Sequence, residues 1–98
     1  YDGDWRDNRM HGRGGFVAAE GDRYDGDWKD DKRHGQGKEV FVGYGVYEGA
    51  YADDLPNGVG TYTNAKGEVF SGDWVNGCFR QGNRWAHVAV TAEACGFK

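Results

Sequence analysis

Isoleucine is absent from this 98-residue chain, leucine, methionine, proline and serine occur once each, and cysteine occurs twice. Each scarcity excludes something. With so few branched aliphatic residues, an ordinary Leu/Ile core cannot be assembled. No apolar run approaches the roughly 18 to 20 residues that span a bilayer as a helix, and no signal peptide is visible. Cys78 and Cys95 are too few for a disulfide framework, so the expectation is two free thiols in a reducing compartment. A basic half is missing as well. Net charge is -4, and residues 1–23 and 24–46 each hold four basic and five acidic side chains, residues 47–69 one and four, and residues 70–98 three and two. Duplex nucleic acid and anionic membranes both call for a concentrated positive field, so no nucleic-acid partner is expected and the charge gives a lipid partner no support.

What the chain has instead is 18 Gly together with four Trp, six Tyr and five Phe. Aromatic rings supply large buried areas, and glycines leave room for a ring to lie flat on the backbone.

Their order is periodic. Tyr1–Gly14 reads Y-D-G-D-W-R-D-N-R-M-H-G-R-G, and Tyr24–Gly37 reads Y-D-G-D-W-K-D-D-K-R-H-G-Q-G. A third copy starts at Tyr47 and a weaker fourth at Phe70, so the step is 23 residues each time. A period of this size marks a repeat array whose units bury their apolar faces only against neighbours. The units are residues 1–23, 24–46, 47–69 and a divergent 70–98. The chain opens on a repeat position and without Met, as a piece of a longer array would.

Within each copy, positions one, three and five share a strand face because side chains alternate. They are Tyr1, Gly3, Trp5; Tyr24, Gly26, Trp28; Tyr47, Gly49, Tyr51; and Phe70, Gly72, Trp74. A polar stretch follows, ending in His11-Gly12, His34-Gly35 or Asn57-Gly58, which reads as a hairpin turn. The return strand carries Gly14, Gly37 and Gly60, with an aromatic two positions on in Phe16, Tyr62 and Trp85. Copy two has Glu39 there, and Val40 and Phe41 are expected to take over its packing. A second turn, around Gly21, Gly43-Tyr44-Gly45 or Gly67, leads to the next copy. Helix is disfavoured by three or four glycines per repeat, each costing about 1 kcal/mol against Ala; only Trp85–Cys95, which has no Gly or Pro, suits a helix as well as a strand. Arg84–Val90 is expected as a strand with Trp85, His87 and Ala89 on one face and Ala86, Val88 and Val90 on the other. Residues 78–98 read as a cap or contact surface.

The string Y-x-G-x-W-x5-H-G-x-G at this step resembles the MORN (membrane occupation and recognition nexus) repeat. The match is full in copies one and two, good in three and partial in four. The resemblance implies an all-β fold, an elongated single-layer antiparallel meander of stacked hairpins, and it assigns the structural positions to the residues just given together with Gly12, Gly35 and Gly58. It also implies a non-enzymatic scaffold in cytoskeletal or membrane-junction assemblies, some members self-associating, and supplies no catalytic residue and no cofactor.

The remaining constellations are read from the residues. His11 and His34 recur at one position, where a bond to the turn backbone is expected. Cys78, His87 and Cys95 form C-x8-H-x7-C, three ligands of the zinc type, which a fourth ligand from elsewhere would complete; free or disulfide-linked cysteines are the competing readings. Asp22, Asp25, Asp27, Asp30 and Asp31 lack calcium-loop spacing and read as a solvated face. Arg6, Arg9, Arg13, Lys29, Lys32 and Arg33 form a stripe near the loops that would suit phosphoinositide headgroups, though Asp7, Asp30 and Asp31 dilute it. Ser71 is the only serine, and one layer of hairpins encloses little volume, so catalysis is not expected. The expectation is a cytoplasmic, cytoskeleton-associated scaffold that binds a protein partner or a second copy of itself as a homodimer, anchored by Trp74, Phe79, Trp85 and Phe97, with membrane binding through the basic stripe as the alternative.

Overall fold

The computed structural model describes residues 1–96. Among the described residues the chain forms nine strands and no helix: β1 (Asp2–Arg6), β2 (Arg9–Val17), β3 (Arg23–Lys29), β4 (Lys32–Phe41), β5 (Gly45–Ala52), β6 (Leu55–Asn64), β7 (Val69–Val75), β8 (Cys78–Gln81) and β9 (Arg84–His87). All lie in one antiparallel sheet whose spatial order is the chain order. Its extents are 44 × 23 × 20 Å. This is the expected meander.

The hairpin tips lie elsewhere than the Gly signals indicated. β1 and β2 are joined by Asp7 and Asn8, β3 and β4 by Asp30 and Asp31, β5 and β6 by Asp53 and Asp54, and β7 and β8 by Asn76 and Gly77, every one at φ between 49° and 84°. Two successive left-handed residues make the two-residue turn that matches strand twist, and Asp and Asn tolerate that conformation without glycine. His11-Gly12, His34-Gly35 and Asn57-Gly58 are therefore not the turns. They are bulges: Gly3 pairs with Gly14 and Trp5 with Met10, so Asp4 alone faces His11, Gly12 and Arg13. The same geometry recurs in the next two hairpins. Asp4 Oδ2 accepts the Arg13 N–H at 3.2 Å, and Asp27 Oδ2 the Gln36 N–H at 3.0 Å, so the side chain opposite the bulge holds it closed.

Hairpins are latched to one another by the tips. Asp31 exchanges two bonds with Met10 of the preceding return strand, N–H to carbonyl at 3.0 Å and Oδ1 to N–H at 2.7 Å. Asp54 does the same to Arg33, and the Gly77 N–H reaches the Pro56 carbonyl. The step is again 23.

Seven glycines stand in register across seven strands: Gly3, Gly14, Gly26, Gly37, Gly49, Gly60 and Gly72. Over this bare strip lie the tyrosines. A Cβ on Gly37 would stand 2.2 Å from the Tyr24 hydroxyl, and one on Gly60 2.0 Å from that of Tyr47. Each hydroxyl then donates to the carbonyl three residues on, at Asp4, Asp27 or Ala50. Trp28 and Trp74 donate their Nε1–H to the Gly14 and Gly60 carbonyls at 2.9 and 3.1 Å. The rings meet edge to face in one column, Tyr1, Trp28, Tyr24, Tyr51, Tyr47, Trp74, with centroids 5.1 to 5.4 Å apart. Such pairs add about 0.5–1.5 kcal/mol each beyond area burial. This column is the core.

At the C-terminal end, β9 stops at His87, short of the expected Val90, although the alternation holds: Ala86 and Val88 are buried while Trp85, His87 and Ala89 are exposed. The Val88 N–H leaves the sheet pattern to bond the Gly77 carbonyl at 2.8 Å.

Gly37→Ala is expected to lower stability by about 1–3 kcal/mol, the usual cost of overpacking, because neither the Tyr24 ring nor the neighbouring backbone can retreat. Gly15→Ala is the control, since its nearest neighbour is 3.8 Å away. Paired thermal melts check this, with Gly15→Ala melting no lower than the parent.

Candidate interaction surfaces

The residues named as interaction anchors do not form one patch. Trp74 and Phe79 are 1% and 2% exposed, their rings packed on each other at 5.1 Å. They belong to the core and cannot anchor a partner without unfolding the last hairpin. Trp85 is 42% exposed, and Phe97 lies outside the described residues. Across the sheet the edge-to-face column buries Tyr24, Trp28, Tyr47, Tyr51 and Trp74 against one another. Trp5, on the outer strand, is the exception: it is 59% exposed where its equivalents Trp28 and Trp74 are 6% and 1%.

The zinc reading is overturned. Cys78 and Cys95 form a disulfide with Cα atoms 5.6 Å apart, so neither thiolate is available, and the His87 ring bonds the Val90 carbonyl at 2.8 Å. Among the described residues no group of three His, Cys, Asp or Glu side chains is placed to hold a metal. The expectation of free thiols falls with it. Counting cysteines could not reveal the pairing, which arises because residues 91–96 turn back on themselves. The Cys95 N–H bonds the Ala92 carbonyl and the Gly96 N–H that of Glu93, and the disulfide ties this turn to Cys78 of β8.

Glu39 is buried in its own right instead of yielding to Val40 and Phe41. In repeats one and three the equivalent rings, Phe16 and Tyr62, lean edge-on against Trp28 and Trp74. In repeat two that partner is Tyr51, whose hydroxyl donates to Glu39 Oε1 at 2.8 Å. Two departures from the repeat thus compensate each other. Arg33 completes the cluster: its Nη1 meets Glu39 Oε1, its Nε reaches Asp54 Oδ1 at 3.2 Å, and its Nη2 donates to the Asp54 carbonyl at 2.8 Å. The guanidinium also lies 5.9 and 5.6 Å from the Tyr24 and Tyr51 ring centroids. Burial opposes its charge, but Glu39 and Asp54 outweigh that and hold its pKa above the ordinary value.

The basic stripe is correspondingly thinned. Arg33 is committed to this cluster, Arg13 pairs with Asp27 at 3.2 Å, and Arg9 approaches Asp30 at 4.0 Å. His11 and His34 sit in the bulges of β2 and β4, not in turns. His11 Nδ1 is buried with no hydrogen-bond partner, so the expected bond to turn backbone is not made there.

A single open sheet of latched hairpins defines a repeat module. A family model described as MORN repeat matches residues 1–23, 24–46 and 47–69. The chain belongs to the MORN repeat family. That family is a non-catalytic repeat module generally associated with protein and membrane interactions. No curated protein matches the chain closely enough to be set beside it.

Burial pushes the Tyr47 hydroxyl up to about 12, and raises Tyr24 and Tyr51 too, first by desolvation and then by the charges of Asp27 and Glu39 respectively. A phenol raised in the folded state stabilises the fold fully below its unfolded value near 10 and loses that contribution as pH climbs toward the folded value. Alkaline unfolding is therefore expected to set in above about pH 10, the unperturbed phenol value. Tyrosinate absorbance should rise together with loss of the sheet signal in circular dichroism, not ahead of it.

Cys95→Ser is expected to remove about 3 kcal/mol of constraint on the C-terminal segment, the usual scale for a loop near this length. Hydrogen exchange should quicken at Val88 and residues 91–96 while the amides of β3 to β6 stay protected. Uniform exchange across the whole sheet would contradict so local a role.

Proposed function

We propose that this chain is a non-enzymatic scaffold segment, binding protein partners and a second copy of itself through the C-terminal repeat. The observation that carries the reading is β9, a four-residue strand that is the last of the sheet among the described residues and whose Trp85 is 42% exposed. An edge strand offers backbone donors and acceptors to another strand, and a half-exposed Trp is a common anchor in interfaces. Rigid latching means that such a contact fixes the direction of the whole array. Cytoskeletal or membrane-junction assemblies are the setting that this family suggests. The argument from free thiols for a cytoplasmic setting no longer applies, because a closed Cys78–Cys95 link belongs with oxidising surroundings. Phosphoinositide binding is the weaker reading, since Arg33, Arg13 and Arg9 are drawn toward neighbouring carboxylates.

Light scattering behind size-exclusion chromatography is expected to report a dimer at micromolar concentration, and Trp85→Glu is expected to return it to monomer while the amides of β3 to β6 stay protected from exchange. A parent that is monomeric throughout, or a dimer indifferent to Trp85→Glu, would sink self-association through this edge.

A further inference from the structure

Between repeats one and two the ring column is flanked by an opening. A cavity of about 300 Å³ lies beside Phe16, Tyr24 and Trp28, with Met10 at one end. Glu39 lines it as well, at the repeat position that holds Tyr62 in repeat three. The size is at the lower limit of ligand sites, which run roughly 300–1,000 Å³, so it suits one long side chain and not a nucleotide cofactor.

Its charge is lopsided. Five carboxylates and two guanidinium groups line it, and Arg33 is already consumed by Glu39 and Asp54. Glu20 and Asp22 come from the turn between β2 and β3, and Asp31 from the second hairpin tip. At the next junction the positions of Glu20 and Asp22 hold Gly43 and Gly45, so the acidic rim belongs to this junction and not to the repeat as such.

The chain itself shows what these rings accept. Arg33 lies over Tyr24 and Tyr51, and Arg84 lies 4.4 Å from the Phe70 centroid. A planar cation stacks on an aromatic face, and arginine does so more often than lysine.

We propose that this cavity receives the guanidinium group of an arginine carried on an extended segment of a partner protein. Phe16 offers the ring surface, while Glu20, together with Asp22 and Asp31, whose Oδ1 atoms already accept the Val42 and Met10 N–H groups, draws the cation in and complements it at the rim. Phe16, 39% exposed, stands at the entrance, so an incoming stem need displace nothing of the core. This rests on reading the chain as a protein-interaction module, and it places a second contact far from the β9 edge.

The test titrates the whole chain with a short blocked peptide carrying a central arginine between glycine and serine, following backbone amides by NMR. The controls are the same peptide with citrulline, the neutral isostere, or with lysine. Shifts are expected at residues 16–24, 28 and 31, with the citrulline peptide about tenfold weaker, the lysine peptide intermediate, and all binding weakened by salt. Phe16→Ala and Glu20→Gln should each weaken the arginine peptide several-fold while amides of β5 to β8 keep their positions, showing that the fold survives. Equal binding of arginine and citrulline, lysine binding as tightly as arginine, or shifts confined to another part of the sheet would each overturn the proposal. Light scattering on the same samples reports self-association separately, so failure here and failure at the β9 edge are told apart.

Discussion

Everything in this molecule depends on a tyrosine ring lying flat against a glycine of the adjoining strand. The approach is close enough that even a methyl group on Gly37 or Gly60 would collide with the ring. Because the ring is held at sheet level, its edge meets the face of the next repeat's Trp or Tyr, and a single layer acquires a core without a second layer to cover it. Glycine in a strand ordinarily weakens it. Here the loss is offset by rings that reach 0% exposure at Tyr47 and 2% at Tyr24.

The strip of glycines needs a fixed register, and the bulges and tips supply it. Gly12, Gly35 and Gly58 take up the extra residues of each return strand, and without them the glycine rows would slip out of line and present a side chain to the ring. Asp31 and Asp54, at the second and third tips, bind the preceding hairpin through both backbone and carboxylate. One step of 23 residues is thus enforced three ways, by the ring, by the bulge and by the tip.

Repeat two shows how far the scheme can bend. Tyr51 in place of Trp forgoes the indole bond to glycine, and Glu39 in place of a ring forgoes an edge contact. The two satisfy each other, with Arg33 neutralising the carboxylate. The exchange leaves the column intact.

The sequence alone determined the period, the strand composition, the glycine and ring positions and the family, because each is a local pattern that every copy repeats in register. Only the tertiary structure decided where the chain reverses. Asp7-Asn8, Asp30-Asp31 and Asp53-Asp54 turn without glycine, while the conspicuous His-Gly pairs serve bulges, and both ask for the same positive φ. It also decided that Trp74 and Phe79 are core, that Glu39 is buried beside Tyr51, and that Cys78 meets Cys95. Those are facts about which residues become neighbours, and neighbourhood across strands is a property of register and of a returning tail, neither of which any single repeat carries.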